Sequence, residues 1–131
     1  MKEGREPRMR RLMIGVAATL LGAVLPVHGQ KATERFIPLG QSPGLSQKAT
    51  TIGEVADVDA RAQTLTVVDK DRRLTVKITE QTQIWLDRSK VKQTTLTGSF
   101  SDLKSGRRVE VKYLDPDTRQ IAEWVKVEVA Q

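Results

Sequence analysis

From residue 50 onward, apolar and polar positions alternate with a period of two, the mark of strands buried on one side. In the first such segment Ile52, Glu54, Ala56 and Val58 share one face, with Gly53, Val55 and Asp57 on the other. Asp59, Ala60, Arg61 and Ala62 turn the chain. Leu65 and Val67 then alternate with Thr64, Thr66 and Val68, a β-branched composition that favours strand. After a turn at Asp69, Lys70, Asp71 and Arg72, Leu74, Val76 and Ile78 point inward against Arg73, Thr75, Lys77 and Thr79. Ile84, Trp85 and Leu86 form a short apolar triplet expected to pack inward, and another apolar position follows at Leu96. Ser101 to Gly106 predicts a single helical or 3₁₀ turn that Ser101 caps and Gly106 ends. Val109, Val111 and Tyr113 alternate with Arg108, Glu110 and Lys112, and Pro116 suits the second position of the turn that follows. In the last strand Val125, Val127 and Val129 oppose Trp124, Lys126 and Glu128. Five principal strands and one short turn predict an all-β domain. A small barrel of five to six antiparallel strands would leave fewest edges open.

Before residue 50 the period is lost. Residues 30–49 contain Pro38, Gly40, Pro43 and Gly44, which predicts an extended arm with a turn at Pro43-Gly44. Phe36, Ile37, Leu39 and Leu45 make the arm apolar enough to dock, either across its own domain or on a partner. Residues 1–29 read differently again. Lys2, Arg5, Arg8, Arg10 and Arg11 precede an apolar run from Leu12 to Leu25, then Pro26 and the small Gly29. That is the order of a cleavable secretory signal peptide, with the mature chain starting near Gln30. The Arg10-Arg11 pair also permits a twin-arginine route, and the 18 uncharged residues after Arg11 are barely enough for a retained anchor. The expected organisation is therefore an export signal over 1–29, an arm over 30–49 and a β-barrel over 50–131, in a periplasmic or secreted protein whose only membrane association is that signal.

The run Thr51-Ile52-Gly53-Glu54-Val55, Leu65-Thr66-Val67, Leu74-Thr75-Val76-Lys77-Ile78-Thr79 and Ser101-Asp102-Leu103-Lys104-Ser105-Gly106-Arg107-Arg108-Val109-Glu110-Val111 resembles the exported bacterial domain of unknown function DUF5666. The likeness spans about residues 50–129, and its most distinctive part is the Ser-Asp-Leu-Lys-x-Gly-x-x-Val-x-Val stretch. The resemblance implies an OB-like barrel in an exported bacterial protein and brings no catalytic residues with it.

Charge changes little once the export segment is set aside. The whole chain of 131 residues has a net charge of +6; without residues 1–29 it keeps 17 basic and 14 acidic residues, interleaved as in Asp69-Lys70-Asp71-Arg72-Arg73. Such mixing describes a solvated surface better than a phosphate-binding stripe, so nucleic acid is a disfavoured partner. There is no cysteine, and the single histidine, His28, lies within the export segment. Ser-His-Asp and Cys-His catalysis and His or Cys metal sites are thereby excluded, and no cofactor is expected. Ser101 and Lys104 match a Ser-x-x-Lys spacing, which a capped turn explains equally well. The acidic pairs Asp57/Asp59, Asp69/Asp71 and Asp115/Asp117 lie where turns use aspartate, and none brings the oxygen count calcium requires. A carboxylate-based hydrolase would need two carboxylates converging in a cleft, drawn from Glu54, Asp57, Asp59 and Glu123.

What remains is binding without catalysis, with an envelope protein or a polysaccharide as partner. Aromatic residues beside basic ones mark the expected recognition surface: Trp124, Lys126 and Tyr113, with Trp85, Arg88, Lys90 and Lys92. The arm residues Phe36, Ile37, Leu39 and Leu45 would either cover that surface or extend it.

Overall fold

A computed structural model describes residues 33–130; the expected export signal at 1–29 lies outside them. Seven strands follow the arm: β1 (Thr50–Asp59), β2 (Thr64–Asp69), β3 (Arg72–Lys77), β4 (Gln83–Asp87), β5 (Leu96–Thr97), β6 (Arg108–Tyr113) and β7 (Ala122–Glu128). They form one sheet in the order β3-β2-β1-β6-β7-β4-β5. The fold is all-β, as the alternation requires. Two details correct the expected architecture. There are seven strands, and the sheet is mixed, because β4 runs parallel to β7 while the other pairs are antiparallel. Nor does the ladder close into a barrel: β3 and β5 remain as edges, and only an isolated bridge joins Lys77 to Ile121.

One face of this sheet carries the apolar core. Leu65, Val67, Val76, Ile78, Ile84, Val109, Val111, Val125 and Val127 all fall in it, so the alternating positions of β2, β3, β6 and β7 are buried on the expected side. In β1 the phase changes partway. A bulge between Val55 and Asp57 inserts Ala56, so that Val55 and Val58 both turn to the core while Ile52 stays on the opposite face. The expected uniform face of Ile52, Glu54, Ala56 and Val58 is thus broken. Ser105 Oγ donates to the Ala56 carbonyl at the bulge (3.0 Å), and the Gly106 N–H donates to Val55 O (2.8 Å). The turn before β6 is a 3₁₀ turn over Phe100–Asp102, and its N-cap is not Ser101 but Ser99, the N–H of Ser99 donating to Asp102 Oδ2 at 2.8 Å.

The arm and sheet belong to one compact unit beginning at Arg35. The expected extended arm is instead a chain of turns. Gln41 N–H donates to Pro38 O and Leu45 N–H to Ser42 O (3.0 and 3.1 Å), with Gly40 (φ 83°) and Gly44 (φ 76°) third in each turn. A left-handed third residue after proline or leucine is the geometry glycine supplies most cheaply. The turn expected at Pro43-Gly44 is present, and Pro38, expected in extended backbone, begins a second corner.

Gly53 lets β1 pass under β2. A Cβ added there would lie 2.2 Å from the Val68 carbonyl oxygen and 2.9 Å from Val67 Cγ1, and the first of these is backbone that cannot swing away. Gly53→Ala is expected to cost about 1–3 kcal/mol through forced separation of the strands. Urea unfolding checks this, and an unchanged midpoint would show that β1 and β2 have slack the packing does not display.

Candidate functional site

The sheet face opposite the valine core is unusual for being neither solvated nor apolar. Strand alternation puts Trp85 and Asp87 of β4, Trp124 and Lys126 of β7 and Glu110 of β6 on it. Register sets Lys126 directly between Trp85 on one neighbouring strand and Glu110 on the other. All five are buried, with Glu110 at 0%, Lys126 at 1% and Asp87 at 6% exposure. Three ionisable groups in so dry a layer must each find partners, because an unpaired buried charge is among the costliest features a fold can carry.

The arm supplies them. Asp87 Oδ2 accepts the Leu39 N–H at 2.7 Å. Glu110 Oε1 accepts the Gly40 N–H at 2.8 Å, while its Oε2 accepts Ser46 Oγ (2.7 Å) and Thr50 Oγ1 (2.8 Å). Lys126 Nζ donates to the Ile37 carbonyl (2.9 Å) and to Ser42 Oγ (3.2 Å), and lies 4.8 Å from the centroid of the Trp124 ring. Trp85 and Trp124 pack against each other with centroids 5.4 Å apart and planes tilted by 30°. Half of these bonds reach the arm's backbone and half reach hydroxyls of Ser42, Ser46 and Thr50, and all join an ionised group to a neutral one, the stronger class of hydrogen bond. Burial by itself would raise the Asp87 carboxyl. The Leu39 amide, Ser89 and the nearby charge of Lys126 outweigh it and hold that carboxyl below the usual aspartate range.

The sequence-predicted residues separate into three groups. Trp124, Lys126 and Trp85 come together, but beneath the arm; Trp85 leaves the inward triplet expected of it, since only Ile84 reaches the core fully. Tyr113 lies on the other face, buried in the core with its hydroxyl donating to Thr51 Oγ1 at 2.8 Å, and so shares no surface with Trp124. Arg88, Lys90 and Lys92 form a polar corner. There Arg88 donates to Thr94 O (2.7 Å) and Gln93 Oε1 (2.8 Å), and Lys90 pairs with Glu128 at 3.3 Å. Of the arm residues, Leu39 is buried, Ile37 and Leu45 are half-buried and Phe36 is 55% exposed with Arg35 over its ring. Glu110 and Asp87, the residues that grip the arm, were missed by pattern reading because in sequence they resemble ordinary solvent-facing positions.

Beside the covered zone the same face stays open. A groove of about 700 Å³ runs over β1, lined by Ile52, Glu54, Val68, Lys70, Arg107 and Arg108, and a smaller hollow of about 530 Å³ adjoins it at Ile52, Asp69 and Lys70. The arm passes nearby: a Cβ on Gly40 would make ordinary contact with Ile52 and Arg108 at 3.7 Å, and Gln47 lines the smaller hollow. Arg108 and Lys90 share Glu128 at 3.1 and 3.3 Å. The acidic candidates do not converge. Asp59 and Asp115 accept backbone N–H groups of their own turns, Glu123 pairs with Lys112 at 2.8 Å, and Glu54 and Asp57 are exposed. Among the described residues no three His, Cys, Asp or Glu side chains gather as a metal site would need. Ser101 Oγ is shared with Ser99 Oγ at 2.8 Å, and Lys104 is exposed.

No known family's sequence pattern matches the chain, and no curated protein does. Among solved structures, it is similar to a copper(II)-bound tryptophan-to-alanine variant of CusF from Escherichia coli, at 15% identity and a TM-score of 0.43 over 60% of this chain and 89% of that one. It is likewise similar to silver(I)-bound CusF, at 15% identity and a TM-score of 0.40 over 60% and 93%. Residues 33–130 hold no Cys, His or Met.

The Asp87 contact makes the arm's hold depend on acidity. A carboxyl held below its unfolded value contributes stability above that value, about 3.9 for aspartate, and loses it as the pH falls through the lower folded value. Asp87→Asn is expected to cost about 1–3 kcal/mol at neutral pH, with the gap to wild type closing below about pH 4. Urea unfolding of both proteins across pH 3–7 checks this, and a gap that stayed constant into acid would remove Asp87 from the clamp.

Proposed function

We propose that this is an exported bacterial module that works by binding, without catalysis, and that its recognition site is the open groove over β1. The groove carries this reading. It is a concave patch of mixed polarity on a rigid sheet, the setting in which ligand sites recur. Its lining offers carboxylates, cations and aliphatic side chains, but no hydroxyl, thiol or imidazole that could serve as a nucleophile. Lys70 and Arg107 are the lining cations outside the Arg108–Glu128 pair. They line the groove together with Glu54 and Asp69, so the groove suits a polar, chain-like ligand such as an envelope polypeptide or polysaccharide. Stacking of nucleic-acid bases has less support, because both tryptophans that could serve as platforms lie under the arm. The basic, apolar, small-residue start of the chain supports export.

The test is a titration of the isotope-labelled protein, followed by amide shifts, against cell-envelope glycan fragments and peptides. Shifts are expected around Ile52, Glu54, Val68, Lys70, Arg107 and Arg108 with the ligand left intact, and a Lys70→Glu/Arg107→Glu variant should bind about tenfold more weakly while unfolding at the same urea concentration. Affinity should fall by no more than about tenfold between 50 and 200 mM salt, against the ~10³-fold or greater loss typical of multiple phosphate contacts. Shifts confined to another face, turnover of the ligand, or a steep salt dependence would each overturn the proposal. Protein recovered from the producing cells should begin near Gln30.

A further inference from the structure

The covered half of the face has the chemistry of a site for a polypeptide segment. Asp87 and Glu110 read two consecutive backbone N–H groups, of Leu39 and Gly40, and Lys126 reads the carbonyl of Ile37. Ser42 and Ser46 add side-chain hydrogen bonds to Lys126 and Glu110. Nothing in these contacts depends on the arm being joined to the same sheet. Any copy of the segment satisfies the same three charges, and the copy certain to fit is the arm of another molecule of this chain.

The link between arm and sheet favours such an exchange. Residues 46–49 fold back in a tight turn, with Lys48 and Ala49 N–H groups donating to Leu45 O (3.0 and 2.8 Å), and Gln47 is held at φ 68°. A side chain other than glycine is strained in that left-handed region, and the strain disappears when the turn opens. Short strained hinges of this kind drive segment swapping. We propose that the face formed by Trp85, Asp87, Glu110, Trp124 and Lys126 is a segment-binding site that takes the arm of a second copy, so that two chains pair by exchanging residues 35–46. This stands apart from the groove reading, since it uses the other half of the face and needs no outside ligand.

Spin labels test it directly, because the chain contains no cysteine to interfere. A Gln41→Cys/Gln83→Cys protein, labelled at both exposed positions, gives the arm-to-sheet reference distance at low concentration. Full chains carrying Gln41→Cys alone and Gln83→Cys alone are then mixed at high concentration and the dimer fraction is isolated. Exchange predicts the reference distance between labels on different chains. The hinge gives two variants with opposite expected effects. Gln47→Pro cannot adopt φ 68° and should raise the dimer fraction about tenfold, whereas Gln47→Gly relieves the strain and should lower it. A dimer lacking the inter-chain reference distance overturns the proposal. So does a mixture that stays monomeric at millimolar concentration, or a dimer fraction that Gln47→Gly leaves unchanged or raises.

Discussion

Three charged side chains buried on one face of a β-sheet set the terms for everything around them. Asp87, Glu110 and Lys126 lie in a layer with two tryptophans, where water is excluded and each charge must be met by a hydrogen bond. Removing one partner from such an arrangement costs about 3–5 kcal/mol, because what remains is a buried charge without compensation. The arm over residues 35–49 meets all three, each through a backbone group. Its two glycine corners exist to present the Leu39 and Gly40 N–H groups to carboxylates, and the Ile37 carbonyl to the ammonium, along one stretch of chain.

This divides the sheet into three working surfaces. The valine side is an ordinary apolar core that holds the strands together without disulfides. On the opposite side, the half over β4 and β7 is closed by the arm, and the half over β1 is open as the groove. The two halves adjoin at Gly40, where a Cβ would lie 3.7 Å from both Ile52 and Arg108.

How much of this was legible in the sequence depends on what each residue's neighbours are. Leu65, Val67, Val76, Val109, Val111, Val125 and Val127 announced the core face because alternation reports burial on one side of a strand. The same alternation left Glu110 and Lys126 looking solvated, since a period of two cannot tell water from a covering segment. The clue lay elsewhere: two tryptophans on the outward face of neighbouring strands, together with an apolar arm containing Phe36, Ile37 and Leu39, imply that something covers that face. The parallel placement of β4 and the bulge at Ala56 had no local signal, because both are set by pairing between distant segments. The turn at Pro43-Gly44 was legible from that pair, whereas Pro38, which reads as extended backbone, begins a second corner that only the left-handed Gly40 completes.

The clamp is tested most directly by amide hydrogen exchange at Leu39 and Gly40. If Asp87 and Glu110 hold the arm as described, these two amides exchange only when the domain opens, with protection comparable to core amides such as Val111 and Val125 and far above that of exposed loop amides near Asp117. Exchange of Leu39 and Gly40 at the rate of an open loop would contradict the account, because the buried charges would then be without lasting partners.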